Sequence, residues 1–342
     1  MNKIFKVIWS KSKQCYIVVS EIAKNKTGKK KIVVASILAA LAMAGTMQSV
    51  DAAIPEGNAT GNDAFAIGSQ SNVNGAFGFA IGNNAKFNSG TLGFAIGVNS
   101  EAKSNQSIAI GYQSKATGRN NGGGGDPALA VGAGANATAG GATAIGMVAN
   151  ASNTFATAIG KSAAASGDSS IAIGQNTKAT QEKALAIGDA SQATNIGATA
   201  LGRSSEATGS SATALGSLAS ATGTTATAVG MQASASGNES LAIGNTASAT
   251  SGRALAVGTN AKATGASSVA VGSGAGGSGP LGFASSINSS RSVVNTLKTI
   301  NYATTAEGDN AVALGFYANA KNTGVAVGQN ALAATGGVAI GK

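Results

Sequence analysis

Residues 170 to 188 read SIAIGQNTKATQEKALAIG, and the pattern of the first five residues, SIAIG, returns in the last five, ALAIG. The tripeptide Ala, then Ile, Val or Leu, then Gly occurs 18 times between Ala66 and Gly341. From Gly132 to Gly272 the glycines of this tripeptide recur every 14 residues. A fixed short period is typical of a solenoid, in which each coil packs on its neighbours in the stack.

Two alternating segments within each unit indicate two strands. In residues 170 to 174 apolar side chains alternate with a small one, which is strand patterning. A second alternation follows, as at Ala219 and Ala221, and a second glycine such as Gly223 stands midway between two tripeptide glycines. A helical conformation would be destabilised by about 1 kcal/mol for each Gly that it contained, which argues against a helix here. The pattern therefore predicts an all-β parallel solenoid of 14-residue coils joined by tight turns.

The branched aliphatic residue of each tripeptide is predicted to form the repeat core. Binding is expected from the exposed residues between the tripeptides, and no individual ligand-binding residue is predicted. Over the regular stretch the predicted core residues are Ile145, Ile159, Ile173, Ile187, Leu201, Leu215, Val229, Ile243, Val257 and Val271.

Two interruptions divide the repeats. The interval from Gly111 to Gly132 exceeds the regular one by half a unit, and the excess is a loop sequence that contains Pro127. Residues 273–310 are predicted to be an insertion of uncertain structure: residues 283 to 286 fit a degenerate coil, and residues 293 to 300 fit either a helix or a strand pair. Head repeats are then expected over residues 53–272 and, resumed, over 311–342.

Residues 1–52 have the features of an export leader. Three lysines at positions 29 to 31 precede an apolar stretch of about a dozen residues, shorter than the roughly 20 needed to span a membrane. Small residues near its end predict cleavage between Ala52 and Ala53, with cleavage after Ala44 as the alternative.

Charge and composition argue against several function classes. Nine of the 23 basic residues lie before residue 52, which leaves 14 basic and 11 acidic residues without a basic stripe, so nucleic acid is not an expected partner. The chain has no His, and Cys15 is its only cysteine, so the usual nucleophiles, general bases and zinc ligands are missing. We therefore predict no enzymatic activity, metal, cofactor or small-molecule substrate. The dinucleotide-like spacing at residues 274 to 279 is interpreted as a flexible turn because Pro280 follows it.

Two parts of the chain resemble known families. Residues 1 to 24 closely resemble the extended signal-peptide region of large Gram-negative autotransporters. The repeats, with Asn-Ala-Val-Ala-Leu-Gly at residues 310 to 315, resemble the head of the YadA-like trimeric autotransporter adhesins over most of residues 60 to 342. The resemblance implies a left-handed parallel β-roll, a homotrimer and display at the bacterial cell surface and outer membrane. The neck, stalk and membrane anchor of that family are not visible, so a fragment or a truncated gene product is expected.

The expected function is that of a non-enzymatic adhesin head, a virulence factor that attaches to host extracellular matrix proteins such as collagen or to other cells. A homotrimer is also expected on physical grounds. One or two branched residues a coil contribute about 1.5–3 kcal/mol each on burial, against an ordering cost of roughly 20 kcal/mol for each coil. The alternative is a secreted structural or ice-binding solenoid, because Thr143, Thr157, Thr199, Thr213 and Thr227 recur at one coil position, although Ile171 and Leu185 interrupt them.

Overall fold

The computed structural model describes residues 5–10, 15–20, 57–88, 90–118, 127–273 and 304–341. The chain divides into two compact units, Met1–Ile54 and Pro55–Lys342. In the first unit, strands β1 (Phe5–Ser10) and β2 (Cys15–Ser20) form an antiparallel pair in which Phe5 lies opposite Ser20. The predicted cleavage site between Ala52 and Ala53 lies outside the described residues.

The second unit is a parallel β-solenoid, and each coil contributes one three-residue strand and one two-residue strand. The three-residue strands are β4 (Phe65–Ile67), β6 (Phe79–Ile81), β8 (Phe94–Ile96), β10 (Ile108–Ile110), β12 (Leu129–Val131), β14 (Thr143–Ile145), β16 (Thr157–Ile159), β18 (Ile171–Ile173), β20 (Leu185–Ile187), β22 (Thr199–Leu201), β24 (Thr213–Leu215), β26 (Thr227–Val229), β28 (Leu241–Ile243), β30 (Leu255–Val257), β32 (Val269–Val271), β34 (Val312–Leu314), β36 (Val325–Val327) and β38 (Val338–Ile340).

The two-residue strands alternate with these along the chain. They are β3 (Asn58–Ala59), β5 (Asn72–Val73), β7 (Lys86–Phe87), β9 (Glu101–Ala102), β11 (Lys115–Ala116), β13 (Asn136–Ala137), β15 (Asn150–Ala151), β17 (Ala164–Ala165), β19 (Lys178–Ala179), β21 (Gln192–Ala193), β23 (Glu206–Ala207), β25 (Ser220–Ala221), β27 (Ser234–Ala235), β29 (Ser248–Ala249), β31 (Lys262–Ala263), β33 (Thr305–Ala306), β35 (Asn319–Ala320) and β37 (Leu332–Ala333).

Each strand pairs in parallel with the corresponding strand of the next coil, so two sheets run along the stack. We call them the long-strand sheet and the short-strand sheet. Equivalent residues of successive coils lie side by side: Ala172 pairs with Ala186 in the long-strand sheet, and Ala179 pairs with Ala193 in the short-strand sheet. The predicted all-β parallel solenoid is confirmed, and the constant interval between the repeat glycines matches the observed pairing of equivalent residues.

Four-residue turns connect the two sheets. In the turn Gly202 to Ser205, the Ser205 amide donates to the Gly202 carbonyl (3.2 Å) and Ser204 has φ 53°. In type II turns the residue at the third position has a left-handed backbone conformation, for which Gly and Asn are favoured. The turn that follows the short strand has the same form, with Ser211 at φ 54°. The chain therefore reverses direction twice per coil, each time within one tight turn.

The core between the two sheets consists almost wholly of alanine. Each regular coil buries a set of small residues, one before each strand and one within it, as at Ala142, Ala144, Ala149 and Ala151. Where Ser or Thr replaces one of these alanines, its hydroxyl commonly donates to a turn carbonyl in the same coil, as Ser170 does to Gly167 (2.7 Å). The buried hydroxyl is thereby satisfied without a partner from another coil.

Both interruptions leave the strand ladder continuous. Ile108 of β10 pairs directly with Leu129 of β12, so the extra residues fall between β11 and β12 in the chain. Val269 of β32 pairs directly with Val312 of β34. Strand β33 belongs to the stack although the sequence assigned it to the insertion at 273–310, so the repeats resume earlier than predicted. The degenerate coil at residues 283 to 286 and the segment 293 to 300 lie outside the described residues.

Candidate adhesive surfaces

The predicted assignment of the branched residues to the core of the chain is wrong. Side chains alternate along each long strand, and the buried middle position is taken by Ala, as at Ala200. The branched third residue lies on the opposite, outer face. Leu201, Leu215 and Ile243 are 40%, 41% and 37% exposed. The other predicted core residues are partly exposed: Ile145, Ile159, Ile173, Ile187, Val229, Val257 and Val271.

The outer face of the long-strand sheet is a mostly apolar ribbon, which we call the aliphatic ribbon. It consists of the first and third residues of every long strand from β4 to β38. Its first coils carry aromatic residues: the rings of Phe65 and Phe79 are tilted with centroids 5.9 Å apart, and those of Phe79 and Phe94 are stacked with centroids 5.1 Å apart. A monomer with this surface exposes an extended apolar strip, and strips of that kind mark interaction sites.

Threonines occupy part of the same face. Thr143 pairs with Thr157, and Thr199 pairs with Thr213, which pairs with Thr227. Ile171 and Leu185 stand between the two groups. The threonine rank is therefore broken in the folded chain, as it is in the sequence.

The outer face of the short-strand sheet is polar. Its ribbon consists of the first residue of each short strand, and Lys86, Glu101 and Lys115 follow one another there in adjacent coils. Lys103 forms an ion pair with Glu101 (Nζ to Oε1, 2.8 Å). The solenoid thus presents one apolar face and one polar face, which differ in the partners they can bind.

A cleft interrupts the polar face at the turns that link it to the long-strand sheet. It has a volume of about 470 Å³ and is lined by Asn99, Gln113, Lys115, Gly134 and Asn136. These residues come from three successive coils, so the ladder register brings them together. No individual binding residue was predicted from the sequence. The usable signal was Gly134, a residue without a side chain that follows two coils with an amide, Asn99 and Gln113, at the equivalent turn position.

Another exposed ion pair, between Glu182 and Lys183 (2.8 Å), lies on a turn. The hydrogen bond between the two side chains and, after it, the attraction of their opposite charges lower the pKa of Glu182 and raise the pKa of Lys183. In the part of the chain described here, no cluster of three or more His, Cys, Asp or Glu side chains has a metal-binding arrangement. Within the same residues, no helix has the length and apolarity to cross a membrane.

The fold and its surfaces define a repetitive β-solenoid with an alanine core, one apolar face and one polar face. Comparison with family models matches residues 1–49 to the extended signal peptide of the type V secretion system. The YadA head domain repeat matches repeatedly between residues 59 and 318, over more than half of the chain. No curated protein matches the chain significantly.

The chain belongs to the YadA-like trimeric autotransporter adhesins. It is exported, and its family is displayed at the cell surface.

Proposed function

We propose that the chain is the head of a homotrimeric, non-enzymatic adhesin that attaches the bacterium to host extracellular matrix, with collagen as the first ligand to test. Family membership supports the adhesive function. The observation that carries the proposal is the aliphatic ribbon. Monomeric secreted proteins rarely leave so long an apolar surface exposed to water, so the ribbon is expected to be covered by a partner.

Association through the ribbon accounts for the sequence of the long strands. Fully burying one Leu, Ile or Val side chain contributes about 1.5–3 kcal/mol, and side chains that are already half-buried, such as Leu215, contribute only part of that. The contribution repeats at every coil, so many small gains add along the stack. Three ribbons meeting around a common axis would bury this face and turn the three short-strand sheets outward.

Matrix binding would then depend on many weak contacts. Most outward positions of the short-strand sheet carry Asn, Gln, Ser, Lys or Glu, with Ala164 and Leu332 as apolar exceptions, and the aromatic or Arg hot spots of high-affinity interfaces are scarce there. A trimer presents each surface three times, and a cell presents many trimers. Effective concentration converts weak single contacts into useful avidity.

The experiment compares two forms of the chain on immobilised collagen, fibronectin and laminin. One form is fused to a trimerising coiled coil, and the other is held monomeric. We expect the trimeric form to be retained on at least one matrix protein about 100-fold more strongly than the monomer, in the range that multivalency produces. Equal and negligible retention of both forms, with an intact solenoid by circular dichroism, would exclude matrix adhesion and leave attachment between bacterial cells as the function to test.

A further inference from the structure

The cleft lined by Asn99, Gln113, Lys115, Gly134 and Asn136 has the size of a ligand site. Its volume of about 470 Å³ falls within the roughly 300–1,000 Å³ of small-molecule pockets. It exists because Gly134 occupies a turn position that carries Asn99 and Gln113 in the two preceding coils. A Cβ added at Gly134 would lie 3.7 Å from the nearest atom, Cγ2 of Val148, which is ordinary van der Waals contact, so a side chain fits at this position without a clash.

The amides around the cleft have hydrogen-bonding groups to offer. Oδ1 of Asn99 accepts a bond from Asn84 (2.8 Å), while its Nδ2 donates to no described residue. The Gln113 side chain has no hydrogen-bond partner within the described residues. Nδ2 of Asn136 makes one long bond to Asn150 (3.3 Å), and its buried Oδ1 accepts none from the residues described, so rotation of this amide toward a ligand would give the unpaired oxygen a partner.

The charge of the cleft comes from Lys115. Its side chain is exposed and makes no ion pair with the described residues. The carboxylate in the adjacent coil, Glu101, is already paired with Lys103. Lys86 flanks Glu101 on its other side, so three lysines surround one carboxylate. The local field therefore favours an anionic ligand.

We propose that this cleft binds an acidic sugar, with the carboxylate of the sugar on Lys115 and its hydroxyls on the amides of Asn99, Gln113 and Asn136. A sugar hydroxyl can donate a hydrogen bond to the carbonyl oxygen of a side-chain amide and accept one from its NH2 group. A single ammonium fits a single carboxylate, whereas phosphate sites gather several cations or free amide N–H groups. The proposal concerns one soluble ligand in one cleft of a single chain, and it stands independently of trimer formation and of binding to matrix proteins.

An acidic peptide fits this cleft less well. Extended peptides bind by adding a strand to a free sheet edge or by filling apolar grooves. Here the backbone N–H groups already bond to neighbouring coils and cannot bind a peptide. The backbone amide of Lys115 donates to the Ala135 carbonyl (2.8 Å), that of Gly134 to Tyr112 (2.7 Å) and that of Asn136 to Ala149 (2.8 Å). The contacts that remain are polar side chains, which suit a polyhydroxylated ligand.

The test uses the purified chain immobilised on a sensor surface and four soluble probes. A hyaluronan tetrasaccharide carries hexuronate, 3′-sialyllactose carries sialate, lactose is the neutral control, and a poly-glutamate peptide supplies carboxylates without sugar. We expect at least one acidic saccharide to bind and lactose to bind at least about tenfold more weakly, because lactose lacks the carboxylate that would form a charged hydrogen bond with Lys115. Whether the hexuronate or the sialate probe binds identifies the source of the sugar.

Two variants and two matched controls locate the site. Lys115→Gln removes the charge, and Gly134→Asn fills the cleft with a residue that tolerates the left-handed backbone at φ 66°. Each is expected to weaken binding of the acidic saccharide at least about tenfold. Lys178→Gln changes an exposed lysine at the same position of a distant coil. Gly197→Asn repeats the glycine change at φ 63° in a turn on the other side of the solenoid. Both controls are expected to bind as the unmodified chain does.

Four results would overturn the proposal. They are the failure of both acidic saccharides to bind, equal binding of lactose, equal losses in the control variants, and binding of poly-glutamate alone with the same dependence on Lys115.

Discussion

At the scale of single residues, the tripeptide glycine is required by the distance between coils. Gly244 has φ 132°, a conformation that L side chains rarely adopt. A Cβ added there would lie 2.5 Å from the carbonyl oxygen of Gly258 in the next coil. The same two constraints recur from Gly68 to Gly328, so the repeated glycine lets successive backbones stack closely.

Gly244→Ala is therefore expected to destabilise the solenoid by about 2–6 kcal/mol, the sum of a strained backbone and an overpacked contact. Urea unfolding followed by circular dichroism measures the change. Gly252→Ala is the matched control, because its added Cβ would have only one neighbour, 3.8 Å away. The control should be neutral or slightly stabilising, by up to about 1 kcal/mol. Equal losses in the two variants would show that the close stacking does not set the glycine requirement.

At the scale of a structural element, β7 departs from the alanine rule. Phe87 is fully buried at a position that carries alanine in most other coils. Its ring fills the space left by Gly75, Gly78 and Gly93, since a Cβ added at any of these would overlap the ring. Gly78 and Gly93 stand where Ala or Ser precedes the long strand in other coils. One large residue and three glycines thus replace a set of small residues.

This exchange predicts a coupling between Phe87 and Gly93. Phe87→Ala should cost about 3–5 kcal/mol through the cavity that it leaves, and Gly93→Ala should cost about 1–3 kcal/mol through overlap with the ring. The double variant should be more stable than the sum of the two losses predicts, because the new methyl group enters the cavity. A double-mutant cycle in urea measures this difference.

The control for this cycle is Phe155→Ala. Phe155 is 59% exposed on a turn, so its loss should change stability by no more than about 0.5 kcal/mol. Strict additivity of the Phe87 and Gly93 effects would contradict the proposed packing.

At the scale of the whole molecule, the proposed trimer interface and the proposed ligand site lie on different faces of the solenoid. The aliphatic ribbon continues from coil to coil with the ladder, and the polar face carries the cleft on the opposite sheet. The proposed trimer buries the first and leaves the second accessible. Assembly and ligand binding therefore depend on different residues and are separable by mutation.

Leu215→Asp tests the assembly. If the ribbon is the interface, a charge placed there without a partner should weaken association about 100-fold or more, since burying an unpaired charge costs several kcal/mol. Leu218→Asp is the control: Leu218 is 43% exposed, close to the 41% of Leu215, but it lies on a turn at φ 59°. Sedimentation velocity should show dissociation of the first variant and a trimer for the second. An unchanged trimer in the Leu215 variant would place the interface elsewhere.

The sequence by itself determined the class of fold and the repeat interval that sets the strand pairing, whereas it placed the end of the second interruption too late. These follow from local rules: alternation in residues 170 to 174 gives strands, glycines at a constant interval give equal coils, and Pro127 falls in a loop because it cannot donate to the ladder. The family resemblance was likewise contained in contiguous residues, and the family comparison confirmed it.

Only the tertiary structure decided which side of each strand faces inward. Alternation separates Ile173 from Ala172 but does not say which is buried, and a general preference for burying large aliphatic residues led to the wrong choice. Two sheets joined by tight turns leave room for little more than alanine, so the methyl groups fill the interior and the branched side chains lie outside. The cleft at Gly134 could not be predicted from the sequence either, because its lining residues come together only when three coils are stacked.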